Sequence, residues 1–459
     1  MANKQILALM CGVVAMAVID LAVVNTALPS IQADLHADPA DLQWVVIGYG
    51  VFVAGFLLLG GRMGDLAGHR TVLVSGIGVL VVASLVGGLA PSLEVLVAAR
   101  AAQGLGAALA APNALAILSR TFAEGPERHR ALGIFGAAGG TAAAASSVLS
   151  GVIVQGPGWP WAFFLNVPVG LVLAALILKY VPADPRRAAR ARTDLRGALT
   201  LTAGLMAIAF GAHRSIEAGW LGLSTLAALL GGFALLTLFI RNEGRSNAPL
   251  IPLATLRKRS VVLANFAAGL LWASFLGLIY QNTLFLQQAQ GYSPLATGAS
   301  TLPIAIISLL VAARMAPWLM DRIGAAWTLV AGMVIQGAGL LWLLGVSAEV
   351  DYLTELFLPF SVIGLGLGLA EVSVQVAALA GVSSEESGLA GGALGTSREM
   401  GGAVGLAVLV SIALAGADQT AEFHRSVLGA AVLAIASAAV AIVLARQRPP
   451  AMRRTAPEV

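Results

Sequence analysis

The chain of 459 residues is 58% hydrophobic and 11% charged, with a formal charge of +4 and a mean hydropathy of +0.87. Soluble domains run at roughly 45–50% and about 25%, so a soluble enzyme is excluded. The basic balance invites a nucleic-acid reading, which the position of the basic residues removes below.

Apolar runs of membrane-crossing length recur along the chain, and alternating ten-residue strands do not, which argues against a barrel. They predict fourteen helical spans, at roughly 5–28, 42–60, 71–90, 93–118, 131–154, 162–181, 197–213, 221–240, 261–286, 294–318, 326–346, 353–378, 388–415 and 427–446. The first run carries Asp20 and has no good cleavage site before it, so it reads as a retained span and not a signal peptide. Cys11, the only cysteine, lies within it and can form no intrachain disulfide.

With the N-terminus placed inside, every Lys and Arg except Arg100, Arg214, Arg398 and Arg425 falls in an inside segment. That bias predicts both termini in the cytoplasm and reads the basic residues as topology charges, with no nucleic-acid partner. A repeat is also visible. Asp65-Leu66-Ala67-Gly68 follows span 2, and Asp321-Arg322-Ile323-Gly324 follows span 10, eight spans later. This offset fits six spans, an inserted pair and six more: 1–182, then 183–260 with its basic linkers and spans 7 and 8, then 261–459. Repeated halves with a substrate site between them are a transporter arrangement.

A charge at bilayer depth costs about 2.5–3.5 kcal/mol on insertion scales, which makes Asp20 a candidate functional residue. Helix rise puts Asp20 and Arg100 about 12 and 10 Å below the outer ends of spans 1 and 4, so the two can pair or share a cavity. An acid whose arginine partner moves between states can take up a proton on one side and release it on the other. Glu371, Arg398 and Glu399 form a counterpart in the inner half of spans 12 and 13, with Glu371–Arg398 as a buried pair. Asn25, Asn113, Gln281 and Asn282 are candidates for the substrate cavity. Tyr49, Trp272 and Tyr280, with Trp44, Phe275 and Phe285, are candidates for an aromatic wall that would suit an apolar or cationic ligand. Most other in-span amides, Asn166 among them, read as helix–helix hydrogen bonds. Gly61, Asp65, Gly68, Arg70 and Asp321 read as inside-gate elements. Asp65 would latch to Arg70, Arg120 or Arg128.

These residues resemble a known family. Asp20 with Val23-Val24-Asn25-Thr26-Ala27-Leu28-Pro29 is similar to the span 1 signature of the fourteen-span drug:proton antiporters of the major facilitator superfamily (EmrB/QacA-like multidrug exporters). Gly61…Asp65…Gly68…Arg70 resembles the superfamily's loop 2–3 motif. Arg100-Ala101-Ala102-Gln103-Gly104 resembles its span 4 motif, and Trp161-Ala162-Phe163-Phe164-Leu165-Asn166-Val167-Pro168 the family's span 6 entrance. Similar agreement occurs at Gln287-Gln288…Gly291-Tyr292-Ser293-Pro294 and over 388–405. In span 5, where the family has Gly-Pro, this chain has Ser146-Ser147, which removes the clearest cause of a kink. Between the two Trp of the span 6 entrance, Pro160 stands where the family has Arg.

The resemblance implies an all-α polytopic major facilitator fold of the cytoplasmic membrane, with 14 helices arranged 6 + 2 + 6. It implies a monomeric, proton-coupled exporter of hydrophobic or cationic drugs that works by alternating access. The expected partners are a small-molecule substrate, protons and the lipid bilayer. No cofactor and no metal are expected, and no phosphate-binding loop of the Gly-x-x-x-x-Gly-Lys type is present, so the proton gradient is the expected energy source. The lost Gly-Pro leaves a proton-driven importer of a metabolite as the alternative, and a membrane enzyme or receptor as a distant one.

Overall fold

The computed structural model describes residues 2–122, 126–183, 194–245, 258–347, 349–380 and 387–446. The basic linker stretches 184–193 and 246–257, and the tail from 447, lie outside the described residues.

Long helices occupy each of the apolar runs. They are α1 (Ala2–Leu35), α2 (Trp44–Ala67), α3 (His69–Gly88), α4 (Leu93–Thr121), α5 (Pro126–Gln155), α6 (Asn166–Tyr180), α7 (Leu195–Ala218) and α8 (Leu223–Glu243). Then follow α9 (Arg259–Leu284), α10 (Pro294–Ile323), α11 (Ala325–Trp342), α12 (Leu358–Leu379), α13 (Ser387–Ala413) and α14 (Gln419–Ala445). Among the described residues, twelve helices are long and apolar enough to cross a membrane, or thirteen when α5 counts as one bent span. The 27-residue α13 lies outside that tally; Arg398 and Glu399 near its middle dilute its apolar character.

Two expectations about helix shape change. The first helix does not end at Leu28 but runs through Pro29 to Leu35. Pro29 has no N–H to offer the Asn25 carbonyl four residues earlier, so it costs α1 one ladder bond without ending it. In α5, the parts Arg130–Ser146 and Val148–Gln155 meet at 43°, although the proline is absent. Ser146 Oγ donates to the Ala143 carbonyl at 2.8 Å, and serine back-bonding of this kind bends helices.

Lipid is as apolar as leucine, so helix packing here rests on close contact and not on water exclusion. One buried cluster joins Val24 and Leu28 of α1, Val51 of α2, Leu201 and Leu205 of α7 and Leu406 of α13. A second lies within the C-terminal helices, where Phe285 and Phe423 stack at 4.4 Å. Helix α7 packs on both α2 and α13, so it straddles the line where the first and last groups of helices meet. Helix α8 packs on α7 and leaves Leu230, Phe233 and Ile240 exposed.

The internal repeat is visible in the backbone. Gly68 (φ 95°) and Gly324 (φ 83°) each end one helix and start the next, and each N–H bonds the carbonyl four residues back. A positive φ of this kind favours glycine, which explains the Asp-x-x-Gly spacing in both halves.

Candidate functional site

Asp20 and Arg100 are paired, with Arg100 Nη1 2.7 Å from Asp20 Oδ2 and both side chains fully buried. Two amides complete the shell on the other carboxylate oxygen. Asn166 Nδ2 donates to Oδ1 at 2.5 Å and Gln103 Nε2 at 3.2 Å. Arg100 is itself held on three sides. Its Nε donates to the Val45 carbonyl at 3.0 Å, its Nη1 also donates to Gln103 Oε1 at 2.9 Å, and its guanidinium lies 4.4 Å from the centroid of the Tyr49 ring. Gln103 further donates to Ser84 Oγ at 2.7 Å. Four helices therefore contribute polar side chains to one buried cluster: Asp20 from α1, Ser84 from α3, Arg100 and Gln103 from α4, and Asn166 from the first turn of α6. Sequence reasoning paired Asp20 with Arg100 but left Asn166 among the packing amides. The available signal was that Gln103 lies in the span 4 motif with Arg100, and Asn166 in the span 6 entrance motif.

The C-terminal helices hold a second set. Glu371 and Arg398 form an ion pair whose side chains are 24% and 21% exposed. Arg398 lies 4.6 Å over Trp272, and Gln375 Nε2 donates to Glu371 Oε1 at 3.2 Å. Glu371 Oε2 and Trp272 Nε1 are buried without a hydrogen-bond partner among the described residues. Trp272 also meets Phe275 edge-to-face at 5.9 Å. Glu399 turns toward α2, its Oε2 4.0 Å from where a Cβ on Gly50 would stand. It therefore lies at the contact between the two groups of helices and forms no ion pair among the described residues.

The remaining cavity candidates divide. Asn282, Tyr280 and Asn25 are buried and keep polar atoms unpartnered among the described residues, both amide atoms in the case of Asn282, the hydroxyl in Tyr280 and Oδ1 in Asn25. Gln281 is also buried. Such groups are costly unless a ligand or water satisfies them. Asn113 does not belong with them. Its Nδ2 donates to the Gly60 and Leu109 carbonyls at 2.9 and 2.7 Å, and its Oδ1 meets His69 Nδ1 at 2.7 Å. With every polar atom engaged, it is part of the gate motif. Trp44 and Phe285 also leave the aromatic wall. Trp44 packs edge-on against His213, and Phe285 stacks on Phe423.

At the gate motif, Asp65 faces His69 Nε2 at 3.5 Å and Arg120 Nη2 at 3.8 Å. Arg70 reaches across to the Leu178 carbonyl of α6 at 2.6 Å. His69, not singled out from sequence, is thus the buried centre of this cluster, in contact with both Asp65 and Asn113. Gly61 lies beside Pro112 of α4. Asp321 is exposed, and its neighbour Arg322 covers the Trp318 ring at 4.1 Å.

The Major Facilitator Superfamily model matches residues 10–406. The chain belongs to the Major Facilitator Superfamily. It is a multi-pass transporter of the cell membrane, and its relatives include export and resistance proteins. It is 37% identical to the cephamycin export protein CmcT of Amycolatopsis lactamdurans, covering 98% of this chain and 95% of that protein. It is 36% identical to the puromycin resistance protein pur8 of Streptomyces alboniger, covering 86% and 78%, and 36% identical to the lincomycin resistance protein of Streptomyces lincolnensis, covering 86% and 81%. Among solved structures it resembles a POT family peptide transporter in complex with sulfate, with a TM-score of 0.71 at 16% identity over 97% of this chain and 96% of that one. That likeness speaks for the fold alone.

Hydrogen bonds also link the first and last groups of helices. The five-residue π turn Phe285–Ala289 after α9 turns two amides toward α1. Gln287 Nε2 donates to the Thr26 carbonyl at 3.0 Å, and Gln288 Nε2 to Gln32 Oε1 at 2.7 Å. On α1, Thr26 also donates to Ser150 Oγ of α5 at 3.0 Å. These bonds tie the end of α1 beyond Asp20 to α9 and α5, while Glu371 and Arg398 stay partly exposed.

Proposed function

We propose that the protein exports small organic molecules of the antibiotic class across the cytoplasmic membrane, driven by inward movement of protons. In this reading fourteen helices cross the bilayer as a first half (1–182), linkers with an inserted pair (183–260) and a second half (261–459), and both termini are cytoplasmic. The protein works as a monomer, the two halves rocking about the space between them.

The observation that carries this reading is the buried Asp20–Arg100 pair with its amide shell. Breaking such a pair by neutralising one member leaves the other charge uncompensated, at a cost of about 3–5 kcal/mol. Protonation of Asp20 therefore changes which arrangement of α1, α4 and α6 is favoured. Glu371, Arg398 and Glu399 supply the charged lining on the opposite side, where the ligand and a second titrating group would sit. The names of the relatives, cephamycin export and resistance to puromycin and lincomycin, support export and the antibiotic class. The bend in α5 at Ser146-Ser147 supports the same direction, because the lost Gly-Pro was the motive for an importer.

Everted vesicles energised with a proton gradient test the reading. Vesicles carrying the protein should accumulate cephamycin, puromycin or lincomycin, and a protonophore should abolish the accumulation. Accumulation no greater than in empty vesicles for the whole panel would remove export. Equal substrate-driven proton movement by wild type and Asp20→Asn would remove Asp20 from coupling.

A further inference from the structure

We infer that Asn166 reads the proton on Asp20: the proton is carried on Oδ1, and Asn166 turns its side-chain amide to accept it. This rests on the reading of Asp20 as the coupling carboxylate and adds which oxygen is loaded and which residue responds.

The argument is one of donors and acceptors. As a carboxylate, Asp20 accepts only, and all three of its neighbours donate. Arg100 Nη1 lies at 2.7 Å from Oδ2, and Gln103 Nε2 and Asn166 Nδ2 lie at 3.2 and 2.5 Å from Oδ1. A carboxylic acid has one O–H to donate and needs an acceptor facing it. Oδ2 cannot carry that proton, because a guanidinium offers no acceptor. Oδ1 can, if one of its two amides turns its carbonyl inward.

Gln103 is not free to turn. Its Oε1 takes a hydrogen bond from Arg100 Nη1 at 2.9 Å, and reversal would set an NH₂ against that donor. Arg100 cannot give way either, held by the Val45 carbonyl and the Tyr49 ring. Asn166 has no such tie: its Nδ2 bonds Asp20, and its Oδ1 has no partner among the described residues. The residue as a whole is 2% exposed, so the amide is held within the helix packing. The charged and titratable groups around Asp20 are Arg100 from α4 and Tyr49 from α2; α6 contributes none but the neutral Asn166.

Position gives the turn a consequence. Asn166 opens α6, just after the short turn Trp161–Phe164, whose preceding Trp159 donates Nε1 to Asp34 Oδ2 at 2.9 Å. Asp34 belongs to the far end of α1. Asn166 thus touches the loaded carboxylate at the head of a segment that is tied to the outer end of the same helix.

pH-difference infrared spectroscopy of the protein in lipid nanodiscs, with asparagine carbonyls labelled with carbon-13, tests this. Acidification should produce a carboxylic-acid band that is lost in Asp20→Asn. In wild type a labelled asparagine carbonyl should shift to lower frequency with the same midpoint. That shift should vanish in Asp20→Asn and in Asn166→Leu, and Asn166→Leu should also move the Asp20 acid band to higher frequency. Asparagine carbonyls that stay unchanged while the Asp20 band titrates would overturn the inference, and wild type alone decides that point even if the variants fail to fold. Absence of any Asp20 band would instead remove the coupling role of Asp20.

Discussion

Arg100 and Arg398 are placed alike: each grips one carboxylate and lies over one aromatic ring, Tyr49 at 4.4 Å and Trp272 at 4.6 Å. The two sets differ in water. The Asp20–Arg100 side chains are fully buried, whereas Glu371 and Arg398 are about a quarter and a fifth exposed.

The difference sets what each arginine is worth. Arg100→Ala leaves Asp20 buried with only amide donors and should cost about 3–5 kcal/mol. Arg398→Ala leaves Glu371 able to reach water and should cost clearly less. Thermal unfolding of both variants in detergent checks the order, and an equal loss would show that burial is not what separates them. Adding Asp20→Asn to Arg100→Ala should recover part of the first loss.

Gly64 is required by packing. A Cβ there would stand 1.7 Å from Asn113 Oδ1 and 2.4 Å from His69 Nδ1. Gly64→Ala should therefore sharply lower the yield of folded protein. Removing the obstructing amide in Gly64→Ala/Asn113→Ala should restore part of it. A Gly64→Ala protein as abundant and as thermally stable as wild type would refute the contact.

His69 should carry a proton on Nδ1. Both Asn113 donors are taken by the Gly60 and Leu109 carbonyls, so the atom facing His69 Nδ1 is an oxygen and needs a donor. Nitrogen-15 chemical shifts of labelled histidine, assigned by loss in His69→Gln, report the tautomer. An unprotonated Nδ1 would mean that the Asn113 amide is reversed.

The contact of Gln288 with Gln32 predicts a lock. In a Cys11→Ala background, Gln32→Cys/Gln288→Cys treated with a short bifunctional thiol reagent should cross-link, and transport should stop. Reduction of a cleavable reagent should restore it. Full transport by the cross-linked protein would show that this end of the molecule does not open during the cycle.

How much of this was legible in the sequence follows from what each residue needs. Asp20 and Arg100 stand out because isolated charges in apolar runs are expensive wherever they face, and helix rise alone sets them level. The Asp-x-x-Gly repeat is legible because only glycine serves the positive φ at Gly68 and Gly324. Asn166, Gln103 and Asn113 are not separable by such arguments. A neutral amide in a span has the same composition whether it holds a carboxylate, braces a gate or joins two helices, and only the third dimension tells which. The bend in α5 is only half legible for a related reason: proline is the conspicuous cause of a kink, and a serine able to bond the backbone leaves a weaker mark in the chain.

The placement of α7 bears on how molecules dissolved in the bilayer reach the space between the halves. Two flanks join those halves. On one, Leu295 and Leu309 of α10 lie directly against α5 at Gly151 and Gly140. On the other, α7 covers the meeting of α2 and α13, with Thr202 against Gly55 and Ser215 bonded to Ser411 at 2.5 Å, and α8 stands outside it. A lipophilic compound approaching sideways on that second flank meets two further helices before it meets the seam. Sideways approach from the membrane is therefore more obstructed on the flank of α7 and α8 than on the flank between α5 and α10.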